Sequence, residues 1–217
     1  MKAFIICLSK IENSITTATA MIKPLIDMGF DVELFEGTYG NDAVRMYNET
    51  GRTLHPTLHD GSPSKENFKL CSPGVKGCFD SHYRLWEKCV KLNETIFIFE
   101  DDVEFVRPYI PVEFSEILVI VLGSWLYNAD VYTEPAIDPA ALMYKGHCVP
   151  GTVGYAITPM AAKKLVAEYN HTYIASDCAI RKSVVDIKIH SHLMGRALVE
   201  KDGKQSLTRF KGWDTFR

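Results

Sequence analysis

The first 35 residues constrain the fold more tightly than any other stretch of the chain. Lys2–Leu8 is an apolar run of strand length, and Ile15, Ala18, Ile22, Leu25 and Ile26 then recur at helical spacing across Ile15–Met28. Gly29 follows as a helix stop, and Asp31–Phe35 has the alternation of a second strand. Two strands joined through a helix run parallel, because the helix carries the chain back to the edge where the first strand began. The predicted class is therefore α/β, with a central, mostly parallel sheet flanked by helices. With 217 residues, 47% of them apolar, the chain is long enough to close one core, and a single domain over residues 1–217 is expected.

Further along, Gly37–Pro73 is rich in Gly, Asn, Thr, His, Pro and Ser and reads as a loop region with one short helix around Asp42–Glu49. Helical order returns after Pro73–Gly74, where Val75, Cys78, Phe79, His82, Trp86, Cys89 and Val90 share a face. Thr95–Phe99, Ile117–Leu122 and Gly154–Ile157 read as strands, the last leading into Thr158 as N-cap and Pro159 at the first position of a helix.

Net charge is −3, too small to argue for or against a polyanionic partner, but it is unevenly placed. Residues 172–217 carry nine Lys/Arg against five Asp/Glu, a basic segment on an acidic body. The six cysteines form no C-x-x-C pair and read as reduced thiols, and the apolar run at Met1–Leu8 falls short of a signal peptide or a membrane span. The expected location is cytoplasmic, with no transmembrane segment.

Chemistry concentrates where Ile96-Phe97-Ile98-Phe99 runs straight into Glu100-Asp101-Asp102. Open α/β sheets bind ligands at the carboxyl ends of their strands. Three adjacent carboxylates repel unless a cation or hydrogen-bond donors offset them, and Mg²⁺ or Mn²⁺ takes such oxygen ligands together with phosphate oxygens. A metal–diphosphate site and a solvated acidic turn both account for the triplet. Side chains alternate along extended chain, so Glu100 and Asp102 point one way and Asp101 the other. Asp102 is the first candidate metal ligand and Asp101 a candidate nucleotide contact.

Gly77-Cys78, Ser81-His82, Trp86 and Ile96–Val103 together resemble the core motif of glycosyltransferase family 25, whose members include lipooligosaccharide galactosyltransferases and collagen hydroxylysine galactosyltransferases. Leu118–Gly123 and Gly151–Pro159, with Ala162 and Leu165, resemble its later motifs. The likeness is good over 77–177 and loose over the first strand–helix unit. It implies a GT-A-like domain, a UDP- or other nucleoside-diphosphate-sugar donor, a divalent cation (Mn²⁺ or Mg²⁺) and inversion at the anomeric carbon. The chain is shorter than many members, and Thr152-Val153-Gly154-Tyr155 departs from the usual small-residue pattern.

Within that resemblance, Asp177 matches the late acidic position and is the candidate base, although Ser176-Asp177 also reads as a plain helix start. His192 and His190 are candidates to complete the metal site from late in the chain. Ser9 and Lys10 at the end of the first strand, Lys76, Ser81, His82 and Glu100 are candidate donor contacts, with a core histidine the alternative for His82. Lys204, Arg209, Lys211 and Trp213 interleave cations with aromatics, as a surface for phosphates and bases would. That ending and the compact length resemble phage-encoded glycosyltransferases, which makes hydroxymethylated cytosine in phage DNA the favoured acceptor and the host cytoplasm its setting. A lipooligosaccharide or other saccharide is the alternative acceptor. A catalytically inactive module that binds nucleotide-sugar or DNA is the reading from another class. A nucleotidyltransferase is disfavoured because Ser9–Ser14 contains no glycine loop.

Overall fold

A computed structural model describes residues 1–57, 71–123, 147–149 and 151–198. The chain opens with β1 (Lys2–Cys7), α1 (Glu12–Asp27) and β2 (Asp31–Glu36), and β1 pairs with β2 in parallel from Lys2↔Asp31 to Cys7↔Glu36. Gly29, at φ +86°, provides the turn out of α1, where its N–H and that of Phe30 cap the carbonyls of Ile26 and Leu25.

The region read as a loop is more ordered than its composition implies. It holds α2 (Gly40–Thr50) and the short strand β3 (Thr53–Leu54), the helix ending at Gly51 in the left-handed conformation. Ala43 and Tyr47 are buried, and this small apolar stripe docks the otherwise polar helix against α3 (Pro73–Leu92). Ser72 caps α3 by accepting from the Val75 N–H at 3.2 Å, with Pro73 beginning the helix.

After α3 come β4 (Ile96–Phe99), β5 (Val103–Phe105), β6 (Ile117–Leu122), β7 (Gly154–Ile157), α4 (Pro159–Glu168), β8 (Thr172–Tyr173), α5 (Ser176–Ala179), β9 (Ile187–Ile189) and β10 (Gly195–Ala197). The main sheet has the order β2-β1-β4-β7-β6-β10-β5, with β9 also paired to β6. It is mixed. Four of its seven pairings are parallel, and β7 runs antiparallel to both β4 and β6, as β5 does to β10. A second, two-stranded sheet joins β3 to β8.

Strand alternation divides the core into two layers. Phe4, Ile96, Ile98, Ile117, Val119, Tyr155 and Ile157 pack with Phe79, Leu85 and Trp86 of α3 and with α4, while Ala3, Ile5, Phe97, Phe99, Leu118 and Ile120 pack with Ala18, Met21 and Leu25 of α1. All four residues of β4 are buried. Truncating Phe97 or Phe99 to Ala at such a position costs about 3–5 kcal/mol. β1 hands the chain to β2 on one side and borders β4 on the other, so the strand order reverses between β1 and β4. Ligands bind beside the carboxyl ends of strands at such a reversal. Among the described residues no helix is long and apolar enough to cross a membrane.

Candidate active site

Glu100 follows β4 directly at that edge, and its N–H donates to the Val153 carbonyl at 2.9 Å. Gly154 stands opposite Phe99, where a Cβ would lie 2.6 Å from Val121 Cγ2 and 3.0 Å from Phe99 Cδ1. Only glycine lets β7 fit between β4 and β6 at this point. The close fit brings the buried Thr152 against Glu100.

Oε1 of Glu100 collects the donors. Thr152 Oγ1 lies at 2.9 Å, His82 Nε2 at 3.2 Å and Cys78 Sγ at 4.0 Å. Ser176 closes the group, 2.8 Å from Thr152 Oγ1 and 3.3 Å from Cys78 Sγ. Behind it, Tyr155 Oη is 2.9 Å from His82 Nδ1 and accepts from Trp86 Nε1 at 2.9 Å.

Burial alone would push the Glu100 carboxyl up, but the hydrogen bonds from His82 and the Thr152 hydroxyl outweigh it, and the group sits below the usual carboxylate value. Hydrogen bonds to a charged group are worth about 1.5–3 kcal/mol each, enough for two to offset a partial desolvation. The Cys78 thiol goes the other way. Burial holds it well above its ordinary range, and the charges of Glu100, Asp177 and Asp102 push in the same direction against Ser176.

Among the described residues, one group of three brings possible metal-ligand atoms within 4.8 Å of one another: Cys78, His82 and Glu100. Ordinary hydrogen-bond lengths account for the His82–Glu100 contact. Asp102 is not part of that group.

Glu100 turns toward α3 and Asp101 toward α1, as alternation requires. Asp101 Oδ2 accepts from the Ser14 hydroxyl, which itself accepts from the Leu8 N–H at 2.8 Å. Burial raises the Asp101 carboxyl, partly opposed by Ser14. This carboxylate ties the end of β4 to the end of β1. The Asp102 carbonyl accepts from the Leu198 N–H at 2.5 Å. The late chain thus reaches the carboxylates at Leu198, after β10.

His190 and His192 precede β10, on an excursion between β9 and β10. His190 is buried, its Nε2 lies 2.7 Å from the Ile110 carbonyl, and its Nδ1 accepts from the His192 N–H at 2.8 Å. Both nitrogens of that ring are engaged by backbone groups, leaving none for a cation. His192 is exposed, and neither histidine belongs to the three-residue group above.

Asp177 lies in the first turn of α5, beside Ser176, with Oδ1 accepting from the Cys178 N–H at 2.8 Å. Ser81 is buried and internally bonded, donating to the Gly77 carbonyl at 2.7 Å and accepting from the Thr38 N–H at 2.8 Å. The Lys76 ammonium sits 5.3 Å from the Tyr173 ring centre. Ser9 and Lys10 are exposed on the turn after β1, which Glu36 Oε1 and Tyr39 Oη hold by accepting from their N–H groups at 3.2 and 2.8 Å. Lys204, Arg209, Lys211 and Trp213 lie outside the described residues.

Thr152, Ser176 and Tyr155 were not foreseen as parts of the site. A usable signal exists: a carboxylate ending a fully buried strand needs donors, and hydroxyl side chains beside Gly154 and Asp177 are the nearest supply.

The fold and site define an open-sheet α/β protein with a carboxylate-lined ligand edge at its strand reversal. The chain belongs to glycosyltransferase family 25: the model of that family, described as an LPS biosynthesis protein, matches residues 1–180. The match extends the resemblance back through β1 and α1, and the architecture is GT-A-like. A glycosyltransferase 25 family member from Anopheles gambiae is 29% identical over 169 residues, covering 73% of this chain and 28% of that one. The lipooligosaccharide biosynthesis protein lex-1 of Haemophilus influenzae is 30% identical over 146 residues, covering 56% of this chain and 47% of its own. A Drosophila melanogaster family member is 27% identical over 152 residues, covering 65% and 24%. The chain spans less than half the length of these curated relatives.

Proposed function

We propose that residues 1–217 form one catalytic domain that transfers a sugar from a nucleoside-diphosphate sugar to a saccharide acceptor of lipooligosaccharide type, with inversion. The observation that carries this reading is the placement of Glu100, Asp101 and Asp102 directly after β4 at the strand reversal, with Ser176, the neighbour of Asp177, joined to the Glu100 cluster through Thr152, in a chain of this family. The acceptor class draws support from the name of the Haemophilus influenzae relative.

Asp102 would hold a divalent cation, Mn²⁺ or Mg²⁺, which when bound would neutralise charge on the departing diphosphate. Glu100 receives donor hydroxyls, and Ser9 and Lys10, exposed beyond β1, face the nucleotide. Asp177 takes the proton of the acceptor hydroxyl as that oxygen bonds to the anomeric carbon. The bond from that carbon to the diphosphate oxygen breaks, and the nucleoside diphosphate leaves with the electron pair.

The test is a mass-spectrometric screen of UDP- and other nucleotide-sugars against lipooligosaccharide and hydroxymethylcytosine DNA, with Mn²⁺ or Mg²⁺. The expected product is glycosylated saccharide. Modified DNA, with binding that falls with salt at a log–log slope of about −0.9 per phosphate contact, would move the acceptor to nucleic acid and give Lys204, Arg209, Lys211 and Trp213 their role. Donor binding without hydrolysis or transfer would leave an inactive binding module.

A further inference from the structure

We propose that His82 and Tyr155 are positioning residues that, anchored by Trp86, hold the Glu100 carboxylate in one orientation and present its Oε2 to the donor. The inference rests on the donor site placed above at Glu100.

The proposed chain of bonds runs from Trp86 through Tyr155 and His82 to Glu100. An indole N–H can only donate, so Trp86 occupies an acceptor position on Tyr155 Oη at 2.9 Å. In the proposed direction the phenolic proton points to His82 Nδ1, 2.9 Å away, and burial keeps that phenol protonated. With Nδ1 accepting, the ring carries its proton on Nε2 and donates to Glu100 Oε1 at 3.2 Å. Trp86, His82 and Tyr155 are at most 1% exposed, so no water competes for these bonds. Thr152 and Cys78 also address Oε1, whereas Oε2 takes none of these bonds and 26% of the Glu100 side chain remains exposed. A carboxylate fixed through one oxygen keeps the other aimed, and alignment of this kind is what a remote supporting residue contributes.

The probes are UDP and UDP-galactose, titrated into wild type, His82→Leu, His82→Gln, Tyr155→Phe, Glu100→Gln and the His82→Leu/Glu100→Gln double variant. His82→Leu should weaken UDP-galactose binding about tenfold, equivalent to about 1.4 kcal/mol, with little change for UDP. His82→Gln, whose amide nitrogen replaces Nε2, should recover most of that loss. The double variant should be no weaker than Glu100→Gln alone, because His82 acts through Glu100.

Folded His82→Leu and Tyr155→Phe proteins that bind UDP-galactose as tightly as wild type would overturn the inference. Failure of wild type to bind either probe would overturn the donor reading and the inference with it. Should the variants not fold, ¹⁵N spectra of histidine-labelled wild type decide: a His82 proton on Nε2 supports the relay, and one on Nδ1 overturns it.

Discussion

A Cβ on Gly77 would stand 2.4 Å from the Thr38 carbonyl oxygen, which makes this helix position the point where α3 meets the loop between β2 and α2. Backbone is the obstacle here, so the clash has no side chain to absorb it. Thr38 is held there by Ser81, which takes its N–H, and by Asp80, which takes its hydroxyl at 2.6 Å. Gly77→Ala is expected to destabilise the protein by about 1–3 kcal/mol, the usual range for overpacking, despite the better helix propensity of Ala. Urea denaturation checks it, and an unchanged midpoint would show that the loop yields freely.

Asp102→Asn should lower turnover by at least about 10²-fold with the fold intact, as expected for loss of a major electrostatic contribution. Chelator should abolish wild-type activity and Mn²⁺ or Mg²⁺ restore it. Full turnover in excess chelator, or by the variant, would remove Asp102 from the cation site.

Asp177→Asn should suppress transfer while the dissociation constant for the donor stays near wild type, because a base acts on the acceptor hydroxyl. Asn retains an oxygen to accept the Cys178 N–H, so the start of α5 should survive the change. Equal loss of donor binding would make Asp177 part of the donor or cation site.

Much of this arrangement was legible in the sequence because the strands that position it are apolar runs bounded by clear stops. β1, β4, β6 and β7 fall where the pattern of Lys2–Leu8, Thr95–Phe99, Ile117–Leu122 and Gly154–Ile157 places them, and Glu100–Asp102 lands at the carboxyl edge. β3, β5, β8 and β10 are two or three residues long, too short for periodicity to register, and owe their pairing to neighbours distant in sequence. The same non-locality hid the partners of Glu100. Thr152 lies 52 residues away and reaches it only because Gly154 admits β7 beside β4. His82 was readable as a core histidine or a ligand contact, and its ring is wholly buried yet bonded to the site carboxylate.

Asp80 offers a test by pH, remote from the carboxylate triplet. It is buried, bonded to the Thr38 hydroxyl, and 3.8 Å from Arg52, which packs over the Tyr83 ring. Burial raises its carboxyl above the ordinary 3.8, only partly countered by Thr38, Arg52 and Arg84. Between the unfolded and folded values the native state binds more protons than the unfolded chain, so this group removes stability as pH rises through that window. Asn keeps the bond to Thr38 and has no proton to lose. The stability of Asp80→Asn relative to wild type should therefore improve from pH 3.5 to pH 7, whatever offset the weakened Arg52 contact adds at both ends. Paired urea titrations across that range measure the difference, and a relative stability that falls with pH would mean that Arg52 and Arg84 outweigh burial and hold Asp80 below its ordinary value.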